Sequence, residues 1–214
     1  MFITFEGIEG SGKSLQIGLS EEHLNRCGIR CRLTREPGGT EFGIALRQVL
    51  LRIGGAPRAP MSELMLYLAD RHQHLKEVVE PALAQGVWIL SDRYHDATRA
   101  YQGAARGIPL AAIDALALLL GIPEPDGTIL LDLDPAVGLT RARRRNAADS
   151  AAGEEGRFEA EALSFHEAVR EAYLGLARRS PGRIRVVDAA SAPEQVFSRI
   201  RPILDEWLGC ARMR

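Results

Sequence analysis

The chain has 214 residues, of which 46% are hydrophobic, enough for one well-buried core, so global disorder is excluded. A formal net charge of -1 gives no support for a nucleic-acid or membrane partner. No long uncharged window and no leader-like start are found, so we expect one cytoplasmic domain over residues 1–214. Three cysteines without a CxxC pair argue against a disulfide framework or a zinc site.

Short apolar runs alternate along the chain with helical patterns, an order typical of a parallel sheet covered by helices on both faces. In such sheets ligands bind at the carboxyl ends of the strands. Strands are predicted at residues 2–5, 29–33, 87–90, 128–133 and 184–187. Helices are predicted at residues 13–25, 42–51, 62–83, 110–120, from 135, 159–179 and 193–208.

The first predicted strand leads into a glycine-rich segment that fits the pattern G-x-x-x-x-G-K-[ST]. Between a strand and a helix, the backbone N–H groups of such a P-loop form an anion nest at a helix N-terminus. Lys13 would reach the terminal phosphates of a triphosphate, and the Ser14 hydroxyl would bind Mg²⁺. A chance glycine-rich turn is the alternative, but the flanking strand and helix favour an ATP site. The predicted ATP-binding residues are Gly7, Glu9, Gly10, Ser11, Gly12, Lys13, Ser14 and Leu15.

A second polar group, Asp92 and Arg93, follows the strand predicted at 87–90. A carboxylate at a strand end beside the phosphate loop can hold Mg²⁺, usually through water. The planar guanidinium of Arg93 suits a second phosphate group. A surface ion pair after a strand is the alternative. We predict Ser14 and Asp92 as the Mg²⁺ ligands and Arg93 as a phosphate ligand.

Over essentially its full length the sequence resembles the bacterial thymidylate kinases. The phosphate loop is shared by many NTPases, whereas Arg35-Glu-Pro-Gly-Gly39 and Ala100-Tyr-Gln-Gly103 are far more specific. The resemblance implies a P-loop NTPase fold with a five-stranded parallel sheet and a short lid at about residues 143–160. The other matching segments are Glu63 through Arg71, Asp92-Arg-Tyr94, Arg106-Gly107, Leu131-Asp132 and Arg157-Phe-Glu159.

By position, the resemblance implies a site for a deoxynucleoside monophosphate acceptor. Glu9 would accept a hydrogen bond from the acceptor's 3′-hydroxyl, and Arg93 would hold its phosphate. Tyr67 stands where the family usually has the phenylalanine that stacks on thymine, and Arg71 matches the arginine that hydrogen-bonds the base. Tyr67 and Arg71 share a face of a predicted helix, so they can grip one base together.

Three further residues complete the implied pocket. Thr98 aligns with a polar position that contacts the base, and Gln102 resembles a neighbour in the same pocket. Tyr101 matches the tyrosine whose ring crowds the 2′ position and disfavours ribose. Taken singly, the two tyrosines Tyr67 and Tyr101 could be core aromatics. Their joint occurrence at the family spacing favours the substrate site.

Phosphoryl transfer needs positive charge around the moving group. In the resembling family it comes either from an arginine in the phosphate loop or from arginines in a lid. Gly10 stands where the first kind carries its arginine, so this chain resembles the lid-arginine type. The departures from the family pattern are Leu15, Ala97 and Gly156. The lid region and its approach carry Arg141, Arg143, Arg144, Arg145 and Arg157, and the predicted catalytic residues are Lys13, Arg93, Arg143 and Arg157.

The resemblance implies an enzyme that transfers the terminal phosphate of ATP, with Mg²⁺, directly in line onto dTMP, a step in dTTP synthesis. It also implies a homodimer, and an adenine site at the backbone of residues 188–190. A kinase for another nucleoside monophosphate is one alternative, although Tyr101 is out of place for a ribonucleotide. A guanine-reading switch is disfavoured because this chain lacks the Asn-Lys-x-Asp run by which such proteins recognise guanine. An interaction module without turnover has no need of Lys13 or Asp92.

Overall fold

The computed structural model describes residues 1–54, 57–148 and 156–212. Its strands form one parallel sheet with the order β2-β3-β1-β4-β5, which confirms the predicted five-stranded parallel sheet. The strands are β1 (Phe2–Glu6), β2 (Cys31–Arg35), β3 (Trp88–Asp92), β4 (Gly127–Asp132) and β5 (Ile184–Asp188).

Helices connect the strands, as a parallel sheet requires. Two of the connections also contain π-helical stretches, Leu75–Val79 and Arg99–Ala105. The helices are α1 (Lys13–Arg26), α2 (Glu41–Leu51), α3 (Pro60–His74), α4 (Glu80–Ala84), α5 (His95–Thr98), α6 (Leu110–Leu119), α7 (Pro135–Ala148), α8 (Leu163–Arg179) and α9 (Pro193–Arg212). None of the described helices combines the length and apolar character needed to cross a membrane.

Side chains from the central strand β1 pack into two different clusters of the core. Ile3 and Phe5 join the main cluster with Ile17 of α1, whereas Phe2 packs with Val79 and Ile89 in a second cluster. Because neighbouring side chains of a strand point to opposite faces, this division shows that both faces of β1 are covered.

Two parts of the chain differ from the predicted elements. The helix predicted over 62–83 is split into α3, a π-helical stretch and α4. The helix predicted from residue 159 begins instead at Leu163, because residues 157–160 form turns and Ala162 has an extended backbone conformation. Residues 95–105 are helical although no helix was predicted there. The predicted lid spans about 143–160, and its residues 149–155 lie outside the described part of the chain.

The carboxyl ends of the central strands lie side by side. Asp92 at the end of β3 pairs in register with Phe5 of β1 and with Arg35 of β2. Glu6, at the end of β1, is in register with Leu130 of β4. The P-loop and the residues after β3 therefore begin at the same edge of the sheet, where the site is built.

Candidate active site

The P-loop between β1 and α1 uses glycine where the backbone takes positive φ and approaches other backbone closely. Gly7 has φ 137°, and a Cβ there would lie 2.5 Å from the carbonyl oxygen of Leu131. Gly10 has φ 72°, and a Cβ there would lie 2.0 Å from the carbonyl oxygen of Gly138 in α7. Since these neighbours are backbone atoms that cannot swing aside, the loop requires glycine at both positions.

Lys13, the first residue of α1, folds back over this loop. Its Nζ donates hydrogen bonds to the carbonyl oxygens of Gly7 at 3.0 Å and Ile8 at 2.9 Å. Burial and the nearby charge of Arg93 lower the pKa of Lys13 to about 8, although Asp92 and other carboxylates act in the opposite direction. Because Lys13 also lines the central cavity of the site, its ammonium group can exchange these carbonyl partners for phosphate oxygens.

Ser14 and Asp92 meet because β1 and β3 are neighbours in the sheet. The Ser14 hydroxyl donates to Oδ2 of Asp92 at 2.8 Å, and both residues line the cavity. A hydroxyl and a carboxylate are hard oxygen donors of the kind that Mg²⁺ prefers. The predicted pair of Mg²⁺ ligands is therefore assembled and fits the ion.

Arg93 leaves the end of β3 with φ 71°, a left-handed conformation that is uncommon outside glycine. Its guanidinium donates to the carbonyl oxygen of Gly7 at 3.0 Å and to Oε1 of Glu9 at 2.9 Å. The group lies over the ring of Tyr101, 4.8 Å from the ring centroid. Contacts on three sides hold the Arg93 guanidinium in one orientation at the cavity wall.

The carboxylate of Glu9 is surrounded by donors. Its Oε1 accepts hydrogen bonds from Arg93 and, at 2.7 Å, from the hydroxyl of Tyr101. Burial acts to raise the pKa of Glu9, but Arg93, His166 and Lys13 outweigh it and lower that pKa to about 2. Glu9 is therefore ionised at neutral pH. Its Oε2 is buried and has no aligned hydrogen bond within the described residues.

Arg71 also lines the cavity, with only 1% of its surface exposed. Its Nε donates to Oε2 of Glu36 at 2.7 Å, and its Nη1 to the hydroxyl of Thr98 at 2.7 Å. Its Nη2 donates to the carbonyl oxygen of Tyr94 at 2.9 Å. A buried guanidinium with all three nitrogens bonded is held rigidly, and the structure shows no solvated helix arginine at this position.

Tyr67 precedes Arg71 by one turn of α3 and lines the same cavity. It is 8% exposed and also packs into the main core cluster, so one part of the side chain belongs to the core and another part lines the cavity. Gln102 lines the cavity from the π-helical stretch, where its amide nitrogen donates to Oε1 of Glu63 at 2.8 Å. Tyr67 and Arg71 therefore line the same cavity from one helix, and their grip on a base stays a prediction.

These groups enclose one cavity of about 530 Å³, a volume typical of a small-molecule site. Gly7 and Ser11 are not on its surface, although Gly7 supplies the carbonyl that Lys13 and Arg93 share. The predicted site residues that line the cavity are Glu9, Gly10, Gly12, Lys13, Ser14, Leu15, Tyr67, Arg71, Asp92, Arg93, Thr98, Tyr101 and Gln102.

Two of the predicted catalytic arginines lie away from the cavity. Arg157 donates to the carbonyl oxygen of Leu50 at 3.0 Å and to the carboxylate of Glu63. Arg143 is exposed on α7. Arg145 is the arginine of this cluster that lines the cavity, and its Nη2 lies 3.3 Å from Oε1 of Glu159.

The adenine segment predicted at residues 188–190 is tied to α7. Arg141 donates to the carbonyl oxygens of Ala189 at 3.0 Å and Ala190 at 2.9 Å. Two of the backbone acceptors expected to meet adenine thus already have an arginine partner, which links this loop to the helix that leads into the lid.

Several contacts within the site were not predicted from the sequence. Glu36 forms an ion pair with Arg71, and Glu63 forms one with Arg157. Both glutamates lie in segments that match the resembling family, so the match could have identified them as site residues. His166, by contrast, lies on α8 and reaches Glu9 across more than 150 residues of chain. No local pattern marks a contact of that separation.

Comparison with known proteins gives a consistent result. The chain matches the family model described as thymidylate kinase over residues 5–200. It is 54% identical over 202 residues to a thymidylate kinase of Trichlorobacter lovleyi, covering 94% of each chain. It is 49% identical over 203 residues to a thymidylate kinase of Oleidesulfovibrio alaskensis, covering 94% of this chain and 95% of that protein. The crystal structure of thymidylate kinase from Ehrlichia chaffeensis superposes with a TM-score of 0.75 at 30% identity, covering 95% of this chain and 98% of that one.

Proposed function

The chain belongs to the thymidylate kinase family, and we propose that it transfers the terminal phosphate of ATP directly onto dTMP, giving dTDP for dTTP synthesis. The observation that carries the proposal is that Lys13 and Arg93 line one cavity and meet at the carbonyl oxygen of Gly7, to which both donate. Lys13 belongs to an anion nest that suits a triphosphate, and Arg93 offers a fork that suits a monophosphate. Two phosphate-binding groups in one cavity favour a transfer between two nucleotides.

On the donor side, the P-loop residues from Gly7 to Leu15 bind ATP, with Lys13 at its terminal phosphates. Mg²⁺, held through Ser14 and Asp92, supplies positive charge against the phosphate oxygens when it is bound. Ser14 and Asp92 are already in hydrogen-bond contact, which supports this assignment.

On the acceptor side, Arg93 holds the dTMP phosphate so that an oxygen of it attacks the terminal phosphorus of ATP in line. Glu9 accepts a hydrogen bond from the 3′-hydroxyl, and the ring of Tyr101 occupies the space that a 2′-hydroxyl would need. The aromatic ring of Tyr67 stacks on the base, and Arg71 donates to it. Thr98 and Gln102 complete the wall around the base.

Phosphoryl transfer is catalysed by positioning and by charge, so the lid arginines matter for rate. We propose that Arg143 and Arg157 approach the transferring phosphate when the lid, at about residues 143–160, closes over the cavity. Arg157 must then leave Glu63. Arg145 joins this set because it already lines the cavity.

We further propose that the chain forms one domain and works as a cytoplasmic homodimer. Apolar side chains stand exposed on α2, α3 and α6, which supports contact with a second copy. They are Phe42, Ile44, Val49, Met61, Met65, Leu118 and Leu119. Light scattering coupled to gel filtration tests the dimer, and a mass of one chain at all concentrations would contradict it.

The function is tested by a coupled assay with ATP, Mg²⁺ and four acceptors: dTMP, dUMP, UMP and AMP. We expect the highest kcat/KM with dTMP and, with UMP and AMP, values lower by at least about a hundredfold, since both carry a 2′-hydroxyl that the ring of Tyr101 excludes. Equal rates with UMP would remove the thymidylate assignment. An absence of turnover with all four would favour a binding module.

A further inference from the structure

His166 is a buried histidine that the reaction described above does not use. It lies on α8, is fully buried, and does not line the cavity. Its Nε2 is 2.9 Å from the carbonyl oxygen of Phe158, and its Nδ1 is 3.2 Å from Oε2 of Glu9. The ring thus stands between Glu9 of the P-loop and Phe158, near the end of the predicted lid.

The two oxygens of Glu9 have different surroundings. Oε1 accepts two hydrogen bonds, one from Arg93 and one from Tyr101. Oε2 and the Nδ1 of His166 are both buried, and neither has an aligned hydrogen bond within the described residues. The two atoms are 3.2 Å apart, so each is the other's partner in one buried contact.

This contact restrains the carboxylate of Glu9. Arg93 and Tyr101 fix one oxygen of the carboxylate, and contact with His166 restrains the rotation that remains about its last bond. With both restraints, the carboxylate of Glu9, which lines the cavity, keeps one orientation toward a hydroxyl that binds there. Since each group that locks a ligating side chain reduces the reorganisation needed on binding, the arrangement is preorganised.

We propose that His166 is a positioning residue for the acceptor sugar: it fixes the orientation in which the Glu9 carboxylate meets the 3′-hydroxyl of dTMP and ties that geometry to the backbone of Phe158. The inference rests on the proposed function, because it takes Glu9 as the partner of the 3′-hydroxyl. His166 does not touch the substrate. Through Phe158, which adjoins Arg157, it also connects the acceptor pocket to the lid.

Three substitutions separate the two sides of the ring. In His166→Asn the side-chain amide nitrogen stands near the place of Nδ1, which faces Glu9. In His166→Gln it stands near the place of Nε2, which faces Phe158. His166→Leu retains bulk without either polar atom. Each variant and the wild-type enzyme are assayed for kcat/KM with dTMP and with 3′-deoxythymidine monophosphate, and thermal melting checks that each variant folds.

With His166→Leu we expect kcat/KM for dTMP to fall at least about tenfold, while the value for the 3′-deoxy analogue changes less than about threefold, because a hydrogen bond to a charged group is lost only with dTMP. His166→Asn should recover most of the loss, and His166→Gln should not. If His166→Leu fails to fold, the comparison of Asn with Gln decides.

Two results would overturn the inference while the proposed function stands. One is an equal loss with both substrates in His166→Leu, and the other is recovery by Gln in place of Asn, since both indicate that the ring only anchors Phe158. If the wild-type enzyme phosphorylates dTMP and its 3′-deoxy analogue equally well, the inference and the role of Glu9 fail together. A wild-type enzyme that does not turn over dTMP would overturn the proposed function itself.

Discussion

The acceptor wall and the lid arginines differ in how far they are organised before any nucleotide binds. At the acceptor wall, Arg71 and Arg93 are held by hydrogen bonds on several sides, largely to buried groups. Among the lid arginines, Arg145 has a side chain that is 59% exposed, and Arg157 is bonded to Glu63 away from the cavity. The first region selects and orients a substrate, whereas the second has to move before it can act. Substitutions should therefore affect the two regions in different kinetic parameters.

The largest effect is expected at Arg93. Lysine keeps the charge but lacks the planar fork by which two nitrogens of Arg93 bond the Gly7 carbonyl and the Glu9 carboxylate in a fixed geometry. We expect Arg93→Lys to lower kcat/KM for dTMP by about 10³-fold or more, in the range of arginines that stabilise phosphoryl transfer. Steady-state kinetics at saturating ATP provide the measurement, with Arg178→Lys as the matched control at an exposed ion pair. A loss below about tenfold would show that the fork is not needed and that charge alone suffices.

The lid gives the next largest effect. We expect Arg157→Ala to lower kcat by about a hundredfold with little change in the KM for dTMP, because a cation used only in the transition state contributes to kcat. Arg145→Ala, measured alongside, sharpens the comparison, since Arg145 already lines the cavity. If Arg157→Ala keeps full turnover and Arg145→Ala loses it, Arg157 anchors the lid to Glu63 and Arg145 carries the charge.

Tyr101 should affect the choice of sugar more than the rate. Tyr101→Phe loses the hydrogen bond to Glu9 but keeps the ring, so kcat/KM for dTMP should fall about tenfold or less. The ratio of activity with dTMP to activity with 5-methyluridine monophosphate should be nearly unchanged in Tyr101→Phe and about tenfold smaller in Tyr101→Ala. If the ratio falls equally in both variants, the exclusion of ribose belongs to the hydroxyl group of Tyr101, which both variants lack.

The smallest effect is a pH dependence on the donor side. The pKa of Lys13, lowered to about 8 chiefly by burial, means that the free enzyme loses this positive charge as the pH rises above that value. We expect kcat/KM for ATP to decline above pH 8, by at most about tenfold per pH unit, whereas kcat at saturating ATP holds to higher pH because bound phosphate favours the charged form. A flat kcat/KM profile up to pH 9.5 would contradict this expectation.

Local sequence patterns were sufficient for the sheet and for the P-loop. The glycines at 7, 10 and 12, followed by Lys13, specify a loop whose geometry follows from backbone sterics alone. The acceptor residues were found through the family resemblance. The helix at 95–105 escaped because its π-helical stretch lacks the regular spacing by which helices are identified in sequence.

The contacts that hold the site together could not be predicted in the same way. Glu36 bonds Arg71 across 35 residues, and Tyr173 donates to the buried Glu6 across 167 residues. Such pairs depend on which strand neighbours which, a property of the assembled sheet. The position of the Arg157 side chain also could not be predicted from the sequence, because an arginine in a lid motif can equally bond Glu63 or a phosphate.

The packing of Gly10 against Gly138 bears on how enzymes of this kind can diverge. A side chain at position 10 would collide with the carbonyl oxygen of Gly138, only 2.0 Å away from the Cβ, and a side chain at position 138 would meet the carbonyl oxygen of Glu9 at 2.5 Å. A lineage built on this backbone cannot acquire an arginine in the P-loop by one substitution. It would also need a displaced α7, so the source of the catalytic positive charge is coupled to where this helix packs against the P-loop.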